Sequence, residues 1–249
     1  MRVARSLNQS ETKENILKSG LVTSSQAGVH PSLGKHVRRH LQSAWSQPFH
    51  RPSVDVYQEL KEMAVLSEDR PFILDSGCGT GQSTQELARL FPHQLVIGVD
   101  RSITRLSRSG VNTTIFQNGN YILLRAELAT FWRLLANDGF SPQRHLLLYP
   151  NPWPKPAHLA RRWHGHPVFP QLLSLGGEIE LRCNWGIYAQ EFALAVNIAT
   201  RASVCPENFQ PEGGLSPFER KYLERGQPLF SVLVPTEVTA SFGLARLTG

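Results

Sequence analysis

The chain of 249 residues carries 26 Lys and Arg against 20 Asp and Glu, giving a net charge of +6 and a pI near 9.5, a balance that favours an anionic partner such as nucleic acid. Three cysteines (Cys78, Cys183 and Cys205) without Cys-x-x-Cys pairing argue against a disulfide framework and against a zinc or other metal site. No apolar run has membrane-spanning length, and "MRVARSLNQSETKENILKSG" lacks a signal-peptide core, so the expected setting is a reducing cytoplasm with no membrane contact.

In chain order, residues 1–32 are polar and rich in Ser, Asn and Gln, which reads as an arm that packs late or against a partner. A basic patch follows at Lys35, Arg38 and Arg39, either part of a nucleic-acid surface or an exposed basic helix end. After Pro52, Tyr57, Leu60, Met63 and Ala64 mark an amphipathic helix. Residues 1–66 are thus an N-terminal arm and helical extension, and 67–249 one catalytic-sized domain. Within that domain the pattern predicts strand 72–75, helix 81–91, strand 95–100, helix 102–109, strand 121–126, helix 127–136, strand 145–149, strand 177–183 and helix 186–200. Two closing stretches, 229–234 and 241–247, both look like strands. Such alternation means an α/β, Rossmann-like fold with a mostly parallel sheet and helices on both faces.

"FILDSGCGTGQST" sets Gly77, Gly79 and Gly81 between an apolar strand and a helix, where glycine lets a ligand approach the backbone. The spacing is G-x-G-x-G led by Asp75, not the G-x-G-x-x-G of dinucleotide sites, and it resembles motif I of S-adenosylmethionine-dependent methyltransferases. Asp100 ends the second strand 19 residues after Gly81, beside Arg101, where a carboxylate can accept from ribose hydroxyls. Glu127 falls either at the adenine edge or in the first turn of a helix, where the dipole stabilises it. Cys78, with no neighbouring His, reads as a small residue that fits the loop.

In open α/β sheets ligands sit beyond the carboxyl ends of the strands, so the turn after strand 145–149 lies beside the reacting group. Asn151 and Trp153 border that place, and prolines at 150, 152, 154 and 156 stiffen it. Lys155, His158, Arg161, Arg162, His164 and His166 then offer phosphate-binding charge, with Trp163 as a stacking surface.

"YPNPWPKPAHLARRW" resembles the P-D-P-W-x-K-x-x-H-x-x-R-R signature of the bacterial tRNA (guanine-N7)-methyltransferases, matched at Pro150, Pro152, Trp153, Lys155, His158, Arg161 and Arg162. "LGGEIELRCNWGIYAQEF" is similar to that family's Gly-Gly strand and T-D-x-x-x-Y-A, at Gly176, Gly177, Tyr188 and Ala189. "SPFERKYLERGQPLF" is similar to its T-x-F-E-x-K pattern, at Phe218, Glu219 and Gly226, with Ser216 for Thr. The resemblance spans roughly residues 70–234. It implies a class I methyltransferase fold with an antiparallel C-terminal strand, and methyl transfer from S-adenosylmethionine to N7 of a guanosine in the tRNA variable loop. It further implies that Asp75, Gly77, Gly79, Gly81, Asp100, Arg101, Glu127 and Asn151 hold the cofactor. Asn151, Asn184 and Glu219 would serve catalysis, and Lys155, His158, Arg161, Arg162, Trp163 and Ser216 the RNA, in a monomer or weak homodimer with a second subunit not excluded.

Two family acids are amides here, Asn151 in P-D-P-W and Asn184 in T-D. Guanine N7 has an in-plane lone pair and no proton, so its methylation needs alignment rather than a general base. A carboxylate accepts from both N1–H and the N2 amine of guanine, whereas Asn has one acceptor oxygen and is itself a donor. That leaves three readings: the guanine-N7 enzyme, a same-fold enzyme acting on another base or an exocyclic amine, and a non-catalytic RNA-binding protein that keeps the cofactor pocket.

Overall fold

The computed structural model describes residues 21–67 and 71–247. Most of the arm therefore lies outside the described residues, and its described part, 21–32, forms neither helix nor strand. Helices α1 (Leu33–Gln42) and α2 (Arg51–Glu62) come next. They join the main core directly, since Leu33, Val37, Val56, Tyr57 and Leu60 pack in one cluster with Phe72, Phe131 and Phe192.

The strands are β1 (Phe72–Ser76), β2 (Leu95–Asp100), β3 (Ile115–Asn118), β4 (Tyr121–Arg125), β5 (Arg144–Leu148), β6 (Glu178–Cys183), β7 (Glu207–Asn208) and β8 (Phe230–Val234). They form one sheet in the order β3-β4-β2-β1-β5-β6-β8-β7. The run β4-β2-β1-β5-β6 is parallel, so five carboxyl ends open on one edge. The C-terminal strand β8 runs antiparallel to β6, as expected. At the opposite edge β3 is also antiparallel, a hairpin partner of β4 that the sequence reading left out.

Side chains alternate along β1: Phe72 and Leu74 enter the large core, and Ile73 points to the other face with Leu87, Val96 and Leu146. Burial on both faces is why these strands read as continuous apolar runs. Helices α3 (Gln82–Leu90), α4 (Ile103–Leu106), α5 (Leu128–Asn137), α6 (Phe169–Ser174), α7 (Gly186–Thr200), α8 (Pro217–Glu224) and α9 (Thr236–Leu247) cover the sheet.

The helix expected over 102–109 is a single turn, α4, followed by a 3-10 turn that Gly110 ends at φ +80°. Residues 241–247 are not a strand but part of α9. Its apolar Val238 and Phe242 lie four apart and so share the core-facing side, while Thr239 donates its hydroxyl to the Gly177 carbonyl at 2.7 Å. Among the described residues no helix is long and apolar enough to cross a membrane.

Candidate functional site

The carboxyl ends of β1, β2, β4 and β5 surround a cleft of about 530 Å³, lined among others by Gly77, Asp100, Arg101, Glu127, Tyr149, Asn151, Trp153, Arg161 and Trp163. That volume suits a small-molecule ligand. Pieces from six separate parts of the sequence meet there.

On one side is the loop after β1. The backbone N–H groups of Gly77 and Cys78 both donate to the Val99 carbonyl at the end of β2, at 2.8 and 3.1 Å. Gly77 turns at φ +82° and Gly81 at φ +81°, a conformation that costs an L side chain strain. Gly81 also faces Leu123, which a Cβ would strike. Of the three loop glycines, Gly77 lines the cleft; Gly79 acts from behind, donating its N–H to Asp100 Oδ2 at 3.0 Å.

Asp75 departs from its expected place. It is fully buried, accepts from the Ser83 and Thr84 hydroxyls at 2.6 and 2.8 Å, and does not line the cleft. Because β1 alternates, Asp75 shares the face of Ile73, toward α3 and away from the opening. Burial raises its pKa to about 6 against the pull of those two hydroxyls. Through Oδ2 it fastens the end of β1 to α3, while its buried Oδ1 has no hydrogen-bond partner. Burial likewise pushes the Cys78 thiol well up, which suits an inert packing residue.

Asp100 does line the cleft. Its Oδ1 accepts from Ser102 N–H at 2.7 Å, and its Oδ2 also receives the Arg105 guanidinium at 3.0 Å. Arg105 is half exposed, so it can turn away and free the carboxylate for ligand hydroxyls. Glu127 is the N-cap of α5, accepting from Ala129 and Thr130 N–H at 3.2 and 2.7 Å. Of its two possible roles, the helix-terminal one is formed, and the side chain still borders the cleft.

On the other side is the turn after β5. Tyr149 and Trp153 bracket Asn151 at φ +49° and +45°. Non-glycine residues held so cost roughly 1–3 kcal/mol each and persist where the surroundings fix them. Asn151 is exposed in the cleft and accepts from Trp153 N–H through Oδ1 at 3.4 Å. The prolines do not keep the whole segment non-helical, because Pro156 opens a 3-10 helix, Pro156–Arg161.

The adjacent arginines point opposite ways. Arg161 is exposed, stands 4.8 Å over the Trp153 ring and lines the cleft. Arg162 is 0% exposed and ion-paired with Glu191 at 2.6 Å, so it cannot reach an RNA phosphate from that place. Arg162 is the C-cap of that 3-10 helix, and its N–H donates to the carbonyl of buried Leu159 at 3.1 Å, three residues back. Its neighbour His164 is also fully buried, 2.9 Å from Glu191. Burial opposes the charge on Glu191, but the contacts of His164 and Arg162 win and hold its carboxyl below the usual range.

Lys155 is exposed and His158 packs edge-on against Trp153. Trp163 lines the cleft with its ring edge-on to Trp132, centroids 4.7 Å apart. Three expected site residues lie elsewhere. Ser216 is buried and caps α8, accepting from Glu219 N–H at 3.1 Å. Glu219 is fully buried and accepts from the Tyr149 hydroxyl at 2.9 Å and from Arg182 at 3.2 Å. Asn184 donates to Gln227 at 3.1 Å, outside the cleft lining. The first two are kept inside because each satisfies a helix end or a buried donor.

Sequence reasoning did not assign cleft roles to Tyr149, Arg105, Tyr188 or Phe218, all of which line it. His166, expected to offer phosphate-binding charge, lines it too, but burial lowers its pKa to about 4, so it is neutral at pH 7. Ser76 sits at the cleft floor, bonded to His145 at 2.8 Å and accepting from Trp132 at 2.9 Å. Among the described residues no cluster of three or more His, Cys, Asp or Glu is placed to hold a metal.

A family model described as "Putative methyltransferase" matches residues 69–232. A tRNA (guanine-N(7)-)-methyltransferase of Alkalilimnicola ehrlichii is 29% identical over 178 residues, covering 65% of this chain and 71% of that one. One from Neisseria gonorrhoeae is 26% identical over 174 residues, covering 67% and 70%. A solved structure titled "Structure of an antibiotic related Methyltransferase" aligns at 16% identity and TM-score 0.48, over 71% of this chain and 92% of that one.

Proposed function

Because this chain belongs to the methyltransferase family whose model matches residues 69–232, we propose that it is a tRNA (guanine-N7)-methyltransferase that uses S-adenosylmethionine. The observation that carries this reading is that the Asn151–Trp153 turn and the Gly77–Asp100 side line one cleft. The relatives named above support the choice of tRNA and of guanine N7.

The cleft fits the cofactor. Gly77 leaves backbone accessible, and Asp100, at the end of β2, is a carboxylate that a nucleoside's hydroxyls can approach once Arg105 turns out. Gly77, Asp100 and Arg101 would hold it, with Glu127 at the border. When bound, S-adenosylmethionine supplies an electrophilic methyl group on a cationic sulfur.

The protein's task is then alignment. With Asn151 Oδ1 engaged by Trp153 N–H, the side-chain amide NH2 is the half left to face a base. Guanine presents N7 and O6 as acceptors along one edge. An amide N–H donating to O6 fixes that edge without touching the N7 lone pair, a contact that a carboxylate could not make. The aromatic faces of Trp153, Trp163 and Phe218 supply stacking for bases, and Arg161 and Lys155 supply charge for phosphates. Methylation at N7 makes the ring cationic, which an aromatic wall stabilises. No residue need remove a proton, in keeping with a cleft whose His166, its pKa lowered to about 4 by burial, is a weak base.

Incubating the protein with labelled S-adenosylmethionine and bulk tRNA, then analysing nucleosides by mass spectrometry, tests this reading. We expect 7-methylguanosine; a different methylated nucleoside would overturn the assigned base, and no label in tRNA the assigned reaction.

A further inference from the structure

Behind the cleft wall lies a buried polar cluster that the proposed chemistry does not use. Arg162 donates from Nε and Nη2 to the Trp153 carbonyl at 3.2 and 3.1 Å, and from Nη2 to the Lys155 carbonyl at 3.3 Å. The same guanidinium reaches Glu191 on α7 at 2.6 Å and the Gln26 side-chain oxygen at 3.0 Å. Gln26 donates in turn to Glu191 Oε1 at 2.6 Å, and His30 N–H to that oxygen at 2.8 Å. Ser24 donates its hydroxyl to the Pro154 carbonyl, a second stitch between the same two segments.

We propose that Arg162 and Gln26 are positioning residues: together they clamp residues 24–30 onto the carbonyls of Trp153 and Lys155, and so set the geometry of the Asn151–Trp153 turn. The inference rests on the reading that this turn aligns the target base. The turn needs such a clamp because Trp153 is held at φ +45°, a conformation that relaxes unless its neighbours fix it. A planar guanidinium with several donors in fixed directions can grip two carbonyls and a carboxylate at once, which a lysine cannot. Glu191 keeps that guanidinium in place without itself lining the cleft.

The test uses full-length protein labelled with 5-fluorotryptophan, the Trp153 resonance being assigned from Trp153→Phe. Gln26→Ala and Arg162→Lys are each compared with wild type. We expect Gln26→Ala to stay folded, to shift or broaden the Trp153 resonance and leave that of Trp45 in place. It should lower kcat for tRNA methylation about tenfold while KM and S-adenosylhomocysteine affinity change less than twofold. Arg162→Lys should move the Trp153 resonance further. An unmoved Trp153 resonance in both variants, or a loss confined to cofactor affinity, would overturn the inference. Should wild type methylate no tRNA, the proposed function falls, and the Trp153 resonance alone still decides whether the clamp exists.

Discussion

The loop after β1 and the turn after β5 line the same cleft, yet they handle charge in opposite ways. Around the loop, Asp75 of β1 is drawn inward to hold α3, and Asp100 at the end of β2 is shared between Gly79, Ser102 and Arg105. Backbone and one carboxylate are what it offers a ligand. In the turn, charge is split by side: Arg161 faces outward over Trp153, and Arg162 faces inward to Glu191. A backbone-rich wall with a carboxylate suits a small cofactor that carries hydroxyls, and a wall with exposed cations and rings suits a polyanion with bases. Neighbours in one sequence motif can therefore serve folding and binding separately.

Breaking the inward charge should cost most. Arg162→Met leaves Glu191 buried without its guanidinium, and a loss of about 3–5 kcal/mol in urea unfolding is expected. A loss under about 1 kcal/mol would show that the ion pair is not structural. The loop offers a pH-dependent contrast. Folding raises Asp75 from an ordinary 3.8 to about 6, so its favourable contribution is complete below pH about 4 and is lost as pH rises through about 6. Asp75→Asn cannot ionise, and its stability relative to wild type should improve by about 2–3 kcal/mol between pH 4 and pH 7. A pH-independent difference would contradict the burial of that carboxylate.

Smaller effects sharpen the assignment of roles. Ser216→Ala removes a helix cap, for an expected loss of about 1 kcal/mol in stability with tRNA affinity unchanged. A selective fall in tRNA affinity would return Ser216 to the RNA surface. Arg161→Met should leave stability within about 0.5 kcal/mol, weaken tRNA binding and lower the slope of log affinity against log salt by about 1. An unchanged slope would mean that Arg161 touches no phosphate.

Most of the alternation from β1 to α7 was legible because β1, β2, β4 and β5 are apolar and buried almost throughout and each loop carries its own punctuation, whereas the short, half-exposed β3 was missed. The position of the cleft was equally legible, since parallel strands ending on one edge bring Gly77, Asp100 and Asn151 together. Which way a side chain points was harder. Helix α9 looked like a strand because Phe242 and Leu244 alternate, although Val238 and Phe242 carry the helical spacing. Arg162 was not readable as buried, because the 3-10 helix that it caps, Pro156–Arg161, follows a run of prolines that hides any helical spacing. Glu191 had a readable signal, lying between Tyr188 and Phe192 on the buried face of α7, where a lone carboxylate calls for a buried cation. The clamp by Gln26 had none, because contacts 136 residues apart leave no local pattern.

The most direct measurement is amide hydrogen exchange with S-adenosylhomocysteine and then with tRNA added. The cofactor product should protect peptides containing Gly77, Asp100 and Glu127, and tRNA should extend protection to residues 149–161. Protection by the cofactor product outside the cleft, as at the separate cavity beside Cys205, or no protection of the 149–161 peptides by tRNA, would contradict a single cleft that joins cofactor to RNA.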